Sequence, residues 1–218
     1  MNKLKVLYDV VKTLRDKEVI NGVATVEVQK DHAKIFYIKN EFEKNLVTME
    51  TKANIISEVD YEGKKVKHQS TTEFTNHCPG NGMHHKLFRA MNHGGGKCGS
   101  IKAKLTKLSF VLGLLHNIKA EEQADKTTLV TLEMTQLPED IKILIQEKMS
   151  HAESYHNQRQ CCFMKECCCI EKGKFSFAMS VNKNYEIDKI VVTFDGVQHN
   201  EENGQHVLDI VAELQLNK

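Results

Sequence analysis

The chain opens with apolar residues spaced three and four positions apart, which is the spacing of one side of an α-helix. The residues with this spacing are Leu4, Leu7, Val10, Val11 and Leu14. An Asn-Gly pair at Asn21-Gly22 is a typical helix stop. The pattern therefore predicts an amphipathic N-terminal helix that ends near Asn21.

From residue 23 to residue 74, apolar and polar residues alternate at nearly every second position, and Val, Ile, Thr and Tyr are frequent. This period is typical of half-buried β-strands. Turn-forming residues occur at Lys30-Asp31, between Lys39 and Asn45, and at Glu62-Gly63. The segment therefore predicts an antiparallel meander of about four strands.

The second half of the chain mixes both periods. Ser100 is a predicted N-cap and Pro138 a predicted first helical residue. The apolar stripes that follow them are Ile101, Leu105, Leu108, Leu112 and Leu115, and Ile141, Leu144, Ile145 and Met149. A strand pattern covers residues 126–136, and three more strand patterns lie between Phe175 and Leu216. Two central helices and four further strands are therefore expected.

This order of elements predicts an α+β fold with a largely antiparallel curved sheet, an N-terminal helix and two central helices. Such a sheet can curl into a half-barrel around an apolar groove. We expect a single domain over residues 1–218, because 218 residues with 40% hydrophobic residues suffice for one large core. Residues 76–100 and 157–173, rich in Gly, His and Cys, are predicted to be loops inside it.

The closing passage from Phe175 to Lys218 reads as a strand, a polar turn, a strand, a longer polar loop and a final strand. Together with the initial helix and the interrupting helices, this order resembles the lipoprotein-carrier (LolA-like) half-barrel superfamily. The resemblance implies a curved antiparallel sheet with an apolar ligand in its groove. The Cys- and His-rich segments are foreign to the pattern of these carriers.

Composition narrows the classes of function. Lys and Arg number 30 against 29 Asp and Glu, so the net charge gives no strong field for nucleic acid or an anionic membrane. The longest apolar run, Leu108 to Ile118, is too short for a transmembrane segment. Asp9 falls where the apolar core of a signal peptide would lie. These features predict a cytoplasmic protein. The sequence has no glycine-rich phosphate loop between a strand and a helix, so nucleotide binding of that type is not predicted.

Two short segments concentrate residues that bind transition metals. They hold eleven of the chain's eighteen histidines and cysteines. The eleven are His77, Cys78, His84, His85, His93, Cys98, Cys161, Cys162, Cys167, Cys168 and Cys169. Imidazole and thiolate favour zinc, copper or iron over magnesium and calcium. The nearby glycines let the backbone fold so that distant donors converge.

These observations lead to three hypotheses of function. The first is an intracellular, non-catalytic protein that binds a transition metal through its Cys/His segments, with zinc expected ahead of copper or an iron–sulfur cluster. The alternative is a carrier of a hydrophobic ligand or lipid on a half-barrel sheet. The third is a thiol-redox protein that uses the five cysteines from Cys161 to Cys169. A solvated loop and cysteines packed as small apolar residues would explain the same composition without any site.

Overall fold

The computed structural model describes residues 2–61, 63–75, 113–135, 170–200 and 204–217. Helix α1 spans Lys3–Asp16, and residues 113–117 are also helical. The strands are β1 (Val19–Lys30), β2 (Ala33–Asn45), β3 (Glu50–Tyr61), β4 (Lys64–Thr75), β5 (Lys119–Glu122), β6 (Thr128–Met134), β7 (Ile170–Val181), β8 (Ile187–Asn200) and β9 (Gly204–Leu216). No helix in these ranges has the length and apolar character needed to cross a membrane.

The nine strands form one curved sheet in the order β4-β3-β2-β1-β9-β8-β7-β6-β5. Every neighbouring pair is antiparallel. Strands β1 to β4 form one meander and β5 to β9 a second. The two meanders meet where β1 pairs with β9, so the first and last strands of the chain lie side by side at the centre of the sheet.

The strand registers give the sheet one apolar face. Residues paired across neighbouring strands point to the same side of a sheet. One such row, from β5 to β1, consists of Ala120, Val130, Met179, Ile190, Leu214 and Ala24. The alternate residues on the other face form ion pairs such as Lys39–Glu41 (2.7 Å) and Lys189–Glu213 (2.8 Å). The second face is therefore in contact with water.

Helix α1 packs on the apolar face above β6 and β7. Val6 and Val10, one turn apart on the helix, are buried against Val130, Met179 and Val181. Each fully buried valine contributes about 1.5–3 kcal/mol relative to its exposed state. Asn2 caps the start of the helix, and its side-chain oxygen accepts a hydrogen bond from the Leu4 amide (3.1 Å).

The antiparallel sheet, the N-terminal helix, the first four-stranded meander and the three closing strands are confirmed. Two predicted boundaries are wrong. Helix α1 ends at Asp16, five residues before Asn21, and the stretch from Lys39 to Asn45 continues β2 instead of turning. The turn that follows β2 occupies residues 46–49. The short strand β5 was not predicted.

Most of the described residues belong to the sheet and few are helical. The predicted antiparallel sheet is therefore present, but the described residues do not form a clear α+β fold. Residues 113–117 lie at the end of the first predicted central helix and are helical. The rest of that helix, and the whole of the one predicted to begin at Pro138, lie outside the described residues. Strand β7 begins at Ile170, inside the segment 157–173 that was predicted to be a loop.

The Asn21-Gly22 pair lies within β1 and does not end the helix, and Gly22 has a different role. It pairs with Phe42 of β2 on one side and with Leu216 of β9 on the other. A Cβ atom at this position would collide with the backbone carbonyl oxygen of Gln215. Glycine is therefore required here for the close approach of β9, not for a turn.

We predict that Gly22→Ala lowers the free energy of unfolding by about 2 kcal/mol, because the backbone of β9 must shift to admit the methyl group. The matched control is Gly113→Ala. A Cβ atom there meets nothing within 4 Å, and alanine in a helix is stabilising by up to about 1 kcal/mol. Urea unfolding followed by circular dichroism measures both. Equal midpoints for the two variants would contradict the role given to Gly22.

Candidate functional site

The eleven predicted metal donors all lie outside the described residues. The structure therefore neither brings them together nor separates them, and the metal site stays a prediction. Within the described ranges, no three His, Cys, Asp or Glu side chains form a group suited to a metal ion.

The described strands fix where the two Cys/His segments join the sheet. The first segment follows Thr75, which pairs with Glu50 beside the β2–β3 turn on the edge strand β4. The second precedes Ile170, which pairs with Gln198 near the end of β8. These two positions lie at opposite ends of strands that are 12 to 14 residues long. The two attachment points are therefore about 40 Å apart along the strand direction, at about 3.3 Å per residue.

The larger candidate site is the part of the apolar face that lies away from α1. Its half-buried members come from β1, β2, β3 and β9, and the register places them in adjoining rows. They are Val26, Phe36, Ile38, Phe42, Ile55, Val59 and Ile210. The edge of this surface turns polar on β4, where Thr72, Ser70 and His68 occupy the same face. We call this surface the β1–β3 apolar surface.

Two polar residues, Asn40 and Ser57, interrupt the β1–β3 apolar surface, and Ser57 pairs with Ile38. Asn40 stands in register between Ala24 and Ile55. The side-chain oxygen of Asn40 is buried and accepts no hydrogen bond from any described residue. A buried acceptor without a donor costs about 1–3 kcal/mol. Asn40 therefore holds an unsatisfied oxygen that is buried beneath the apolar surface.

A cleft continues the apolar face towards the C-terminal half of α1. It lies between that helix and the adjoining ends of β1, β8 and β9, and it is a shallow depression with room for about one water molecule. Leu14, Ile20 and Leu216 contribute apolar lining, and Lys17 and Glu186 form an ion pair of 3.0 Å at its margin. The depression is therefore too small to admit a ligand beneath the helix.

A histidine–aspartate pair lies at the other end of the sheet, where the β1–β2 turn meets β9. The Asp31 carboxylate accepts a hydrogen bond from the Val207 amide (3.0 Å) and lies 2.7 Å from Nδ1 of His206. The Val207 hydrogen bond, followed by that to His206, holds the pKa of Asp31 below its ordinary value of 3.8. Nε2 of His206 is buried and has no hydrogen-bond partner among the residues that the structure describes.

His206 was not among the predicted metal donors. It is isolated in the sequence, and its partner Asp31 is 175 residues away. Histidines that ligate metals commonly have their other ring nitrogen fixed by a carboxylate, as Asp31 fixes Nδ1 here. The sequence signal that could have pointed to it is the position of His206 near the start of the last strand, opposite the end of the preceding strand.

Comparison with known proteins identifies no family. No protein-family model matches the chain, and no curated protein sequence matches it. Weak similarity is found to a dehydratase-cyclase domain of ambruticin biosynthesis, with 12% identity, coverage of 97% of this chain and 79% of that one, and a TM-score of 0.18. The dehydratase domain from the terminal module of the rifamycin polyketide synthase has 13% identity, with coverage of 95% of this chain and 79% of that one, and a TM-score of 0.17.

An N-terminal dehydratase from the difficidin assembly line has 10% identity, covers 99% of this chain and 84% of its own, and has a TM-score of 0.14. At these identities and scores the likeness carries neither a fold assignment nor a function. The site must therefore be interpreted from its own residues.

We predict that Asp31→Asn lowers the free energy of unfolding near pH 7 by about 1 kcal/mol. Hydrogen bonds to charged groups contribute about 1.5–3 kcal/mol, and solvent screening at this half-exposed carboxylate reduces that amount. Asparagine tolerates the positive φ of 50° at this position, so the turn itself is preserved.

Because the folded-state pKa of Asp31 is depressed, its stabilising effect is complete above the ordinary aspartate pKa and is lost as the pH falls through the folded value. Urea unfolding near pH 7 and near pH 3 measures the difference between the two proteins. A difference that is as large in acid as at neutral pH would contradict this assignment.

Proposed function

We propose that the protein binds an elongated apolar or amphipathic small molecule, of the size and character of a lipid, on the β1–β3 apolar surface. The observation that carries this proposal is the continuous apolar face of the sheet. Among the described elements, α1 packs on only the β5–β8 part of that face.

The energetic argument starts from the half-buried side chains on this surface. Val26, Ile38 and Ile55 retain contact with solvent although they lie in the middle of long strands. Removing apolar surface from water contributes about 25 cal/mol per Å². Contiguous apolar surface that stays accessible in a folded protein commonly marks a binding site. A flexible apolar chain laid along these rows would complete their burial.

Asn40 narrows the chemical class of the ligand. Asn40 and Ser57 bring polar side chains into this otherwise apolar lining, so the lining favours a ligand that carries a polar group such as a hydroxyl or an amide. Ligand sites of this kind combine a mostly apolar lining with a few polar groups that set orientation. We therefore expect a lipid alcohol, an acyl amide or a similar amphipathic molecule to bind more tightly than a plain hydrocarbon.

The half-barrel form of the sheet belongs to this proposal. The order of elements resembles the lipoprotein-carrier superfamily, and a sheet of nine antiparallel strands with a helix on its apolar face is compatible with that resemblance. A carrier function without catalysis is what the resemblance implies.

Adjacent isoleucines on β3 provide a matched pair of variants. Ile55 lies on the apolar face beside Asn40, whereas Ile56 lies on the opposite face beside Lys39. Both side chains are half-buried. We predict that Ile55→Ser weakens binding of the fluorescent probe N-phenyl-1-naphthylamine by about fivefold, because about 1 kcal/mol of apolar contact is lost. Ile56→Ser should change the dissociation constant less than about twofold.

The measurement is a fluorescence titration of each variant, with urea unfolding to show that both proteins remain folded at the assay temperature. Equal weakening by the two substitutions, or the absence of saturable binding to the unmodified protein, would overturn the proposal. Displacement of the probe by a rising concentration of a long-chain alcohol would support one shared binding site on the β1–β3 apolar surface.

A transition-metal site in the Cys/His segments is the second candidate function. Two observations favour it. The first is the concentration of eleven donors in the two segments, and the second is the state of His206. Ile170, the residue after Cys169, pairs with Gln198, which in turn pairs with His206. A histidine whose buried Nε2 has no partner in the described ranges therefore lies two strands from the point where the second segment joins the sheet. Reduced thiols, as an intracellular compartment maintains, are part of this proposal.

We predict that zinc, or copper or iron in its place, copurifies at close to one equivalent when the protein is prepared anaerobically. Cys78→Ser and Cys98→Ser should each lose the metal, as should Cys167→Ser if both segments serve one site, whereas His32→Ala on an exposed turn should retain it. Elemental analysis gives the stoichiometry.

His206→Gln tests the additional donor, and a lower metal content than in the His32→Ala control is expected. Full metal retention in Cys167→Ser would assign the two segments to separate roles. Metal below about a tenth of an equivalent, with no uptake after reconstitution, would contradict the second candidate altogether.

A further inference from the structure

Helix α1 is apolar on two sides. The side that faces the sheet carries the buried residues Val6 and Val10. On the other side, Leu4, Tyr8 and Val11 are 56%, 68% and 65% exposed. Their spacing of four and three residues places them in one row on the helix surface. Single exposed apolar residues are ordinary, but a row of three large ones on a short helix marks an interaction surface.

Basic residues border this row. Lys5, Lys12 and Arg15 are exposed and lie on the same outward half of the helix. The two acidic residues of the helix, Asp9 and Asp16, lie one turn after Lys5 and Lys12, on the side of the lysines away from the apolar row. Asp16 forms an ion pair with Arg15 at 3.4 Å. Lys5 and Lys12 form no ion pair with any residue in the described ranges. An apolar row flanked by unpaired cations is the pattern of a helix that lies in a lipid headgroup region.

We propose that the outward face of α1, formed by Leu4, Lys5, Tyr8, Val11, Lys12 and Arg15, docks on a membrane surface that carries anionic lipid headgroups. In this arrangement Leu4 and Val11 enter the boundary between headgroups and acyl chains, and the Tyr8 ring lies at that boundary with its hydroxyl in water. Lys5 and Lys12 contact the phosphate groups. The proposal is independent of the ligand proposed for the apolar face of the sheet.

Charge complementarity decides between a lipid surface and a second copy of the chain. A symmetric contact between two α1 helices would bring Lys5 and Lys12 of one copy close to Lys5 and Lys12 of the other. Like charges that face each other are unfavourable. An anionic surface attracts both lysines. The near-neutral net charge of the whole chain obscures this local concentration, which is why composition gave no indication of a membrane.

The orientation of α1 allows such docking without disturbing the fold. Lys3 lies on the inward side, and its ammonium donates hydrogen bonds to the backbone carbonyls of His116 and Ile118, each at 3.1 Å. The helix is thus fixed to the sheet region through Lys3, Val6 and Val10, and none of these is needed at the lipid surface.

The test is sedimentation with vesicles of phosphatidylcholine, with and without phosphatidylglycerol. We expect the unmodified protein to bind the mixed vesicles and to dissociate at high salt. Lys5→Glu/Lys12→Glu should lower the partition coefficient by about twentyfold or more, since each cation near an anionic surface contributes about a fivefold factor. Leu4→Ser/Tyr8→Ser/Val11→Ser should also reduce it to the level of phosphatidylcholine vesicles.

Two control variants match these changes. Lys64→Glu/Lys65→Glu alters the net charge equally on exposed positions of β4, and Val211→Ser removes an exposed apolar residue from β9. Both should bind within about twofold of the unmodified protein. If Lys64→Glu/Lys65→Glu lowers the partition coefficient as much as Lys5→Glu/Lys12→Glu, net charge alone causes the attraction and the proposal is overturned. Equal binding to vesicles with and without phosphatidylglycerol would also overturn it.

Sedimentation velocity of the α1 variants tests the rival occupant. A dimer that dissociates in these variants, with vesicle binding unchanged, would assign the surface to a second copy and would also overturn the proposal. Titration of the α1 variants with N-phenyl-1-naphthylamine separates this inference from the ligand proposal, because the outward face of α1 does not touch the β1–β3 apolar surface. Unchanged probe binding is expected.

Discussion

The pairing of β1 with β9 is the interaction on which the rest of the structure depends. Each meander forms from strands that follow one another in the chain, but this pair joins residues almost two hundred positions apart, such as Gly22 and Leu216. Nine residue pairs connect the strands, and the Asp31–Val207 and Asn21–Asn217 backbone hydrogen bonds extend the contact at its two ends. Without it, each meander would expose an unpaired edge strand at what is now the centre of the sheet.

The same pairing determines the character of the two faces. Ala24 pairs with Leu214 and Val28 with Ile210, so the apolar residues of both meanders lie on one side. A shift of one residue would send one meander's apolar set to the opposite face, where the ion pairs now lie. A continuous apolar surface therefore follows from one register. The proposed ligand site, which draws on strands of both meanders, exists only because of that register.

The sequence predicted what depends on local periodicity and missed what depends on distant partners. The alternation of apolar and polar residues in β7, β8 and β9 was sufficient to predict those strands. Gly22 was misread because its neighbour in β9 cannot be seen locally. The polar stretch from Lys39 to Asn45 suggested a turn, although Lys39 and Glu41 pair on the solvent face. The strand order and the contact between Asp31 and His206 were equally beyond local pattern, and the Cys/His site remains a prediction from composition.

The central claim is that the apolar face of the sheet exists to hold a small amphipathic molecule. Native mass spectrometry of protein extracted gently from its source tests it most directly, since a bound molecule would be weighed together with the chain. The account predicts a lipid-sized adduct whose fraction is lower in Ile55→Ser than in the unmodified protein and unchanged in Ile56→Ser. Protein that is always free of any adduct, and whose β1–β3 apolar surface is fully covered by its own side chains, would contradict it.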